Sequence, residues 1–449
     1  MFPLFSICNA ILVSAYILLI NAVSPPLLAT TPAVPAIPNR TFNAIEQGAS
    51  AEGKTLSTAA IQKAIDQASA AGGGTVLIPA GTFVSGPLTL KSNIDLHLAK
   101  GAVLQMSGNV NDFPIAGKGR QSLLSADKLH DVQISGEGMI DGQGEPWWTE
   151  YRKTKGTQED GQKRSGMIVI SGCDKVRLTG FTTKDPPNCH VAMGDCTNVT
   201  IEGLTLNAPE TSANTDGLNL RVRDCVIRKC HIATGDDNIV LLTSHPARDG
   251  EPAVQNVTIS DCTLGVGHGL SIGSYTAGGI RNVACENINF EGTSCGIRLK
   301  ANRERGGTVE NLSYKNFTMK NVSSPINISS YYPHEPKSPA DDKDQPVKPS
   351  TPIYRHISIE NVTIQNENLP KPGNAIFIWG VPEQPISDVT LKNVRITAQR
   401  GGVVYNAKDV RFENVEINTP DKTKLSTFNA EVKGMESTPI QAAAESASK

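Results

Sequence analysis

Four short polar clusters interrupt the apolar pattern in the middle of the sequence. They combine three aspartates, one histidine and two cations, and each lies about 11 to 17 residues after an apolar residue that recurs along the chain. The clusters are Asn214-Thr215-Asp216, Gly235-Asp236-Asp237, Gly267-His268-Gly269 and Arg298-Leu299-Lys300. Each cluster alone is typical of a turn or a solvated strand, but their common phase predicts that the fold brings them together.

These residue types suit general acid and base catalysis. Three carboxylates in close quarters repel one another, and the repulsion raises the pKa of at least one of them. A protonated carboxyl group beside an ionised one is what hydrolysis of a glycosidic bond requires. His268 can approach a carboxylate, while Arg298 and Lys300 can bind a carboxylate on the substrate, which indicates a uronic acid. No pattern of a nucleophilic serine elbow, a phosphate-binding loop or a dinucleotide-binding loop is present.

The elements that position these clusters are short strands that repeat along the chain. Most of the repeats are spaced by about 21 to 32 residues, and one longer interval contains the polar segment 333–352. The recurring apolar positions are Val176, Val199, Cys225, Val257, Val283, Leu312, Ile357, Val389 and Val410. Such a unit cannot close a core alone, so we predict a parallel β-solenoid that stacks the four clusters on one face within about 15 Å. A β-propeller is the alternative, but its blades need about 40 residues.

The composition fits a solenoid and excludes several classes of protein. Among 449 residues there are 40 glycines and 28 prolines, which argues against a helical bundle. Charged residues make up 19% and the net charge is −2, so the chain is not a basic nucleic-acid-binding protein. One amphipathic helix is predicted near the start, where Ile61, Ala64, Ile65 and Ala68 follow helical spacing. It would cap the open end of the solenoid.

The two ends of the chain differ in composition from the repeats. Residues 1–29 carry no charge, which predicts a signal peptide, although the apolar run is also nearly long enough for an uncleaved membrane anchor. Residues 30–41 are a linker rich in proline and alanine, residues 42–418 are the β-helix catalytic domain, and residues 419–449 are a C-terminal tail. We therefore expect a secreted or periplasmic protein.

Asparagines and cysteines also recur in phase with the repeats. Several asparagines match the glycosylation sequon. A structural role explains them better, because asparagine adopts the left-handed conformation at a corner and its side chain can bond to the next coil. These sequons are at Asn198, Asn256, Asn321 and Asn361. Cys173 and Cys196, and likewise Cys230 and Cys262, occupy equivalent positions on adjacent coils. Each pair could form a disulfide or a stack of buried thiols, and the sequence does not decide between them.

The four clusters, in this order, resemble the motifs of the polygalacturonase family, glycoside hydrolase family 28. They read SANTDGLNL, ATGDDNIVL, VGHGLSIGS and GIRLKANR, and the stretches GGGTVLIPAGTFVSGPLTLKSNIDLHL and GMIDGQGEPWW are similar to the family as well. The similarity extends over residues 42–418. It implies an all-β fold, a single-stranded right-handed parallel β-helix. The implied reaction is hydrolysis of the α-1,4 bonds of polygalacturonate or pectin, with inversion at the anomeric carbon.

The resemblance also implies a role for each site residue. Asp236 would be the general acid, Asp216 and Asp237 would activate water, and His268 would tune the acid. The substrate-binding residues would be Asn214, Arg298, Lys300 and a tyrosine, for which Tyr331 and Tyr332 both qualify. Inversion predicts a separation of about 6.5–9.5 Å between the carboxyl groups. Leu299 stands where the family more often has isoleucine, and we expect it to face the core.

No metal or other cofactor is implied, in contrast to pectate lyases, which share the solenoid but use calcium. The expected partner is the polysaccharide, with no nucleic acid, no membrane after processing, and a monomeric enzyme. Two alternatives remain, a relative that acts on rhamnogalacturonan or substituted galacturonan, and a non-catalytic β-solenoid adhesin. Exo action is preferred to endo action because segments 145–164 and 333–352 are longer than a coil turn requires and could wall the groove.

Overall fold

The fold is known from a computed structural model that describes residues 31–440, apart from residues 118, 156–163, 247–248, 368, 421 and 423. The predicted signal peptide at residues 1–29 lies outside the described residues. Within the described part, no helix is long and apolar enough to cross a membrane. The expected linker is described from Thr31 onward. Its backbone bonds to the solenoid through the N–H groups of Ala33 and Ala36.

Thirty-two of the strands in the described residues join into one parallel sheet that passes through three faces in each coil. Face 1 contains Thr41–Asn43, Gly74–Ile78, Ile94–Leu98, His130–Gly136, Asp174–Thr179, Val254–Ser260 and Ile280–Glu286. Face 2 contains Glu52–Leu56, Gly81–Ser85, Ala102–Met106, Met139–Asp141, Thr182–Lys184, Thr205–Asn207, His231–Ala233, Thr263–Leu264 and Asn289–Glu291. Face 3 contains Leu88–Thr89, Leu124–Asp127, Ile168–Ser171, Ile239–Thr243, Leu270–Thr276, Cys295–Lys300, Ser324–Ser329, Ile376–Trp379 and Thr438–Pro439.

The remaining strands of this sheet continue around a corner from one face to the next. They are Val191–Glu202, Leu218–Arg228, Thr308–Lys320, Ile353–Gln365, Ile386–Thr397, Gly402–Asn418 and Leu425–Lys433. A separate antiparallel pair consists of Ile115–Ala116 and Gly119–Arg120. The architecture is a right-handed parallel β-helix, which confirms the predicted fold class.

The recurring apolar residues form one buried column on face 1. Val176 pairs in parallel with Val199, Val199 pairs with Cys225, and the series continues coil by coil to Val410. Each side chain of the column is at most 2% exposed. Because side chains alternate along a strand, the residues between the buried ones point away from the core. The repeat positions predicted from the sequence are confirmed.

Asparagine ladders hold the corners of successive coils. Asn282 donates to Asn256 and accepts from Asn311, with N···O distances of 3.1 Å. A second ladder runs through Asp261, Asn287, Asn316, Asn361, Asn393 and Asn414. The four sequon asparagines all have positive φ, as expected of corner residues. The left-handed corners predicted for them are confirmed.

Two α-helices accompany the strands. The helix Thr58–Ala70 buries Ile61, Ala64, Ile65 and Ala68 and packs on the first coil, as expected for the cap. The second helix, Glu145–Thr154, was not predicted from the sequence. It is short, with Trp147 and Trp148 buried side by side against the coil, so its apolar residues do not show a clear helical period. Two 3₁₀ turns, Ala44–Gln47 and Val110–Asp112, complete the helical elements of the described residues.

Parallel pairing continues beyond the expected end of the β-helix at residue 418. Leu425–Lys433 pairs with the preceding coil, and Thr438–Pro439 pairs with Leu425–Lys433 in turn. The expected C-terminal tail therefore contributes a further coil, because Leu425 and Thr427 are buried and extend the core. The eight described cysteines are free thiols, so both cysteine pairs are stacks in this structure.

We predict that Asn282→Ala lowers the free energy of unfolding by about 2 kcal/mol, because alanine would be forced into the left-handed region and both ladder hydrogen bonds would be lost. Asn282→Gly loses the same hydrogen bonds, but glycine adopts positive φ without strain, so its loss should be about half as large. Urea unfolding followed by circular dichroism measures both values. Equal losses would show that backbone conformation is not the reason for asparagine at this corner.

Candidate active site

The strand register of face 3 places the acidic and histidine residues in one column. Leu218 pairs with Ile239, Ile239 with Leu270, and Leu270 with Ile297. Asp216, Asp237 and His268 each lie two residues before the paired residue of their own coil. They therefore occupy the same position on three consecutive coils, with about 4.8 Å between neighbours. The expected stacking of the polar clusters on one face is confirmed.

The strand that follows supplies the two cations. In Cys295–Lys300 the side chains alternate, so Leu299 is fully buried while Arg298 and Lys300 point out of the core. Arg298 pairs in register with Ser271, and Lys300 pairs with Gly273. Leu299 faces the core as expected. Both cations consequently lie one coil beyond His268, on the C-terminal side of the column.

Asp237 is fixed by both cations and a hydroxyl group. Lys300 Nζ lies 2.7 Å from Asp237 Oδ2, and Ser271 Oγ donates to Asp237 Oδ1 over 2.7 Å. Arg298 Nη1 is 3.4 Å from the same Oδ1 atom. The carboxylate is only 4% exposed, so these charge-assisted bonds set its orientation. Asp237 is thus the most constrained of the three carboxylates.

Asp236 contacts His268 and Asn214. His268 Nδ1 lies 3.1 Å from Asp236 Oδ1, and Asn214 Nδ2 lies 3.4 Å from Oδ2. Burial acts to raise the pKa of Asp236, but the hydrogen bond and charge of His268 and the charge of Lys300 outweigh it. The pKa of Asp236 is therefore lower than its ordinary value.

Asp216 has the opposite electrostatic environment. Burial first, and then the charges of Asp237 and Asp236, raise the pKa of Asp216 to about 7. Asn219 Nδ2 donates to Asp216 Oδ2 over 2.8 Å and Cys189 Sγ donates to the same atom over 3.4 Å, and both contacts oppose this rise. In the free enzyme at weakly acidic pH, Asp216 is therefore protonated, whereas Asp236 is ionised.

Cys189 is a contact of the site that the sequence interpretation missed. Val191 pairs with Leu218, so Cys189 occupies the column position one coil before Asp216. Burial, followed by the charge of Asp216, raises the pKa of the Cys189 thiol, which keeps it a hydrogen-bond donor. The signal in the sequence is its position, two residues before the strand that begins at Val191.

Arg164 is the second contact that was not predicted. Its Nη2 donates to Asn214 Oδ1 over 2.8 Å, and its Nη1 donates to the backbone oxygen of Ala213 over 2.6 Å. A guanidinium group can only donate, so the oxygen of Asn214 must face Arg164 and its amide nitrogen must face Asp236. Arg164 thereby orients Asn214 toward the carboxylates. Arg164 lies beside an undescribed segment of the chain, and no motif in the sequence marks it.

The structure separates the two candidate tyrosines. The ring centroid of Tyr332 lies 5.8 Å from Arg298 Cζ and 5.4 Å from Lys300 Nζ, so this ring borders the cations. Tyr331 packs edge-on against Trp379 with ring centroids 5.6 Å apart, and its hydroxyl donates to Asp342 over 2.6 Å. Tyr332 is therefore the site-facing residue, whereas Tyr331 belongs to an aromatic cluster beside the site.

The tryptophans of the second helix are also structural. Trp147 lies edge-on to Phe113 with centroids 6.0 Å apart, and Trp148 Nε1 donates to the backbone oxygen of Pro186 over 2.9 Å. Both rings are buried, which leaves no free face for a sugar. The two tryptophans therefore pack their segment against the coil.

The glycines around His268 allow the coils to approach closely. Gly269 has φ +70, and a side chain there would place Cβ 2.1 Å from the backbone oxygen of Cys295. Gly267 has φ +134, and its Cβ would lie 2.7 Å from the side chains of Asn238 and Thr234. Glycine on each side of the histidine is therefore required by the backbone, and it seats the imidazole next to Asp236.

One oxygen from each of Asp236 and Asp237 and one ring nitrogen of His268 lie within 4.8 Å of one another. These donors could hold a metal ion, but a cation there would compete with Lys300, which already bonds to Asp237. The carboxylate oxygens of Asp236 and Asp237 are thus closer together than the separation of about 6.5–9.5 Å that is expected for the carboxyl groups of an inverting pair. The spacing of this pair therefore does not by itself predict inversion.

The fold and the stacked carboxylates define a glycoside hydrolase, and comparison with known proteins identifies its family. The chain matches the glycosyl hydrolases family 28 over residues 69–402 and belongs to that family. It is a glycoside hydrolase of the polygalacturonase type, as predicted, which decides against a non-catalytic adhesin.

Individual relatives agree with this assignment. The endo-polygalacturonase of Pectobacterium parmentieri is 31% identical over 374 residues, covering 78% of this chain and 87% of that protein. The exopolygalacturonase structure from Thermotoga maritima has a TM-score of 0.74 at 25% identity, covering 86% of this chain and 94% of that one. The polygalacturonase structure from Erwinia carotovora ssp. carotovora has a TM-score of 0.63 at 27% identity, covering 86% and 98%.

The pKa of Asp216 predicts how stability depends on pH. The folded protein holds this proton up to about pH 7, whereas an unfolded aspartate releases it near its ordinary value of 3.8. The folded state therefore binds more protons between these values, so stability falls as the pH rises from about 4 to about 7. We expect Asp216→Asn to have a smaller fall in its thermal midpoint over this range than the wild type.

Asp344→Asn, at an exposed position, is the control and should show the wild-type slope. Midpoints measured by differential scanning calorimetry at several pH values test the comparison. If Asp216→Asn keeps the wild-type slope, the proton is not held by Asp216.

Proposed function

We propose that the enzyme hydrolyses the α-1,4 bonds of polygalacturonate with inversion and acts from the chain end. The observation that carries this proposal is the column of Asp216, Asp237 and His268 with Arg298 and Lys300 one coil further. It brings acid, base and carboxylate-binding groups together on one face. The polygalacturonase-type family supports galacturonate as the sugar.

The substrate carboxylate is proposed to bind at Arg298 and Lys300. Arg298 can form a bidentate pair with a carboxylate, and Lys300 adds a point charge next to Asp237. The ring of Tyr332 lies beside both cations and offers an apolar surface for the sugar. The two cations bond to a single carboxylate, Asp237, so positive charge is left for a carboxylate on the substrate, and the arrangement favours uronic acids.

In the proposed reaction Asp236 donates its proton to the glycosidic oxygen as the bond to the anomeric carbon breaks. A water molecule between Asp216 and Asp237 attacks that carbon and gives up a proton to them. In the free enzyme the proton resides on Asp216. The form in which Asp236 carries the proton is therefore a minor one before substrate binds. A substrate carboxylate that neutralises Lys300, together with the exclusion of water, raises the pKa of Asp236 and shifts the proton toward it.

Two segments are proposed to wall the groove and so to produce exo action. On the C-terminal side, Arg303 bonds to Glu383 over 2.6 Å and to Asp342 over 2.6 Å, which ties segment 333–352 to the coil. On the N-terminal side, Arg164 ties the end of segment 145–164 to Asn214. Both loops are thus anchored beside the catalytic column. The relatives include proteins named for endo and for exo action, so the products must decide.

We further propose that the enzyme needs no metal, acts as a monomer and works outside the cytoplasm. The uncharged N-terminal stretch and a polymeric substrate support export. Lys300 supplies beside Asp237 the positive charge that a metal ion would otherwise provide.

We predict that the purified enzyme releases reducing ends from polygalacturonate in the presence of a chelator, without products that absorb near-ultraviolet light. Asp236→Asn should lower this activity by about 100-fold or more, because the general acid is lost. Asp261→Asn is the matched control, since asparagine at that corner can keep the ladder bond to Asn287.

Monomer as the first product would support exo action, and mixed oligomers would mean endo action. An enzyme with an intact fold that cleaves branched pectin but not polygalacturonate would instead be a family member with a rhamnogalacturonan or substituted-galacturonan substrate.

We also predict a bell-shaped pH dependence of kcat/KM with its alkaline limb near pH 7. Activity requires one proton on the coupled carboxyl groups, and this proton is lost as Asp216 titrates with a pKa of about 7. The limb belongs to the group of carboxylates as a whole, so it does not depend on which one carries the proton in the active form. Rates measured below KM from about pH 3 to about pH 9 test this, and a profile that stays flat up to about pH 9 would contradict it.

A further inference from the structure

The catalytic column has a cation on each side of it along the groove. Arg298 and Lys300 lie on the C-terminal side, one coil beyond His268. On the N-terminal side lies Arg164, which bonds to Asn214. The proposed substrate has a carboxylate on every sugar. The two units that flank the cleaved bond therefore each bring one negative charge past the three aspartates.

Arg164 is held rigidly by groups that do not neutralise it. Its guanidinium stacks on the ring of Tyr151, with Cζ 4.1 Å from the ring centroid. Its three hydrogen bonds go to the backbone oxygens of Pro187 and Ala213 and to Asn214 Oδ1. Among the residues that the structure describes, no carboxylate lies within ion-pair distance of it. Within the described part of the chain, it is thus a positive charge beside the site without a direct ion-pair partner.

The guanidinium also has donors to spare. Arginine has five N–H donors, and three of them are used in these bonds. The two remaining hydrogens, on Nε and Nη2, have no partner among the described residues. The two remaining donors can hydrogen-bond to a carboxylate, and the charge of the guanidinium strengthens such bonds.

From this juxtaposition we propose that Arg164 binds the carboxylate of the second galacturonate unit, the one on the N-terminal side of the cleaved bond. Arg298 and Lys300 bind the first. This subsite rests on the proposed function and deepens it, because recognition of both flanking carboxylates makes the enzyme specific for two consecutive unesterified units.

The test uses digalacturonate and its two monomethyl esters, one esterified on each unit. For the wild type, each ester should lower kcat/KM by about 10- to 100-fold, because one charge-assisted pair is lost. Arg164→Gln should lower kcat/KM for digalacturonate by a similar factor. It should abolish the penalty for one of the two esters and leave the penalty for the other unchanged. Arg164→Lys keeps the charge but not the paired donors, so it should fall between the two.

Arg152→Gln is the matched control, since Arg152 lies on the preceding helix, is half exposed and pairs with Glu145. It should leave all three rates unchanged. A merely structural role of Arg164 would lower the rates for all three substrates by the same factor. That result would overturn the proposed subsite, and so would full retention of both ester penalties in Arg164→Gln.

A binding measurement separates this inference from the proposed reaction. Calorimetric titration of Asp236→Asn protein with digalacturonate, with and without Arg164→Gln, reports the subsite without turnover. In one outcome the wild type cleaves none of the three substrates, but Arg164→Gln weakens the binding of digalacturonate and does not weaken the binding of one ester. That outcome would support the subsite and contradict the proposed reaction. If the wild type cleaves digalacturonate and Arg164→Gln leaves the affinity for digalacturonate unchanged, the proposed reaction is supported and the subsite is contradicted.

Discussion

The parallel hydrogen-bonded register between successive coils is the constraint on which the site depends. It fixes neighbouring residues of a column about 4.8 Å apart, whatever number of residues separates them in the chain. Asp216, Asp237 and His268 are brought into neighbouring positions of one column in this way, across turns of different length. The buried column from Val176 to Val410 and the asparagine corners maintain that register. A slip by one residue would turn Arg298 and Lys300 into the core and expose Leu299.

The spacing of the coils also creates the electrostatic conflict that makes the site reactive. Aspartates on adjacent coils cannot move apart, so their mutual repulsion and burial raise the pKa of Asp216 to about 7. Lys300 and Arg298 bond directly to Asp237, and the charge of Lys300 also acts on Asp236. The fold therefore keeps a proton on Asp216 in the range where a glycosidase needs one. Burying carboxylates without an ion-pair partner destabilises the folded state, and the apolar core of the long solenoid offsets this loss.

Much of this arrangement could be predicted from the sequence, because the repeat is local and the clusters recur in phase with it. The fold class, the buried column and the four stacked clusters needed only the spacing of apolar residues. The position of Cys189 follows from the repeat, but its thiol contact with Asp216 does not. Arg164 could not be found in this way, because it reaches Asn214 from a segment between the strands. Positions in such segments are set by tertiary contacts and not by the repeat. The helix Glu145–Thr154 was missed for the same reason.

The walls of the groove show how a nearly neutral chain can still recognise a polyanion. With a net charge of −2, long-range attraction of galacturonan is weak, so affinity must come from cations at the surface of the groove. Arg303 is fully paired with Asp342 and Glu383 and serves only to hold its loop. Arg164 bonds to neutral oxygens, and no carboxylate of the described residues pairs with it. The two proposed walls thus differ in the partners of their arginines. Of the two arginines, only Arg164 has no carboxylate partner in the described part of the chain, so only Arg164 can offer its charge to the substrate.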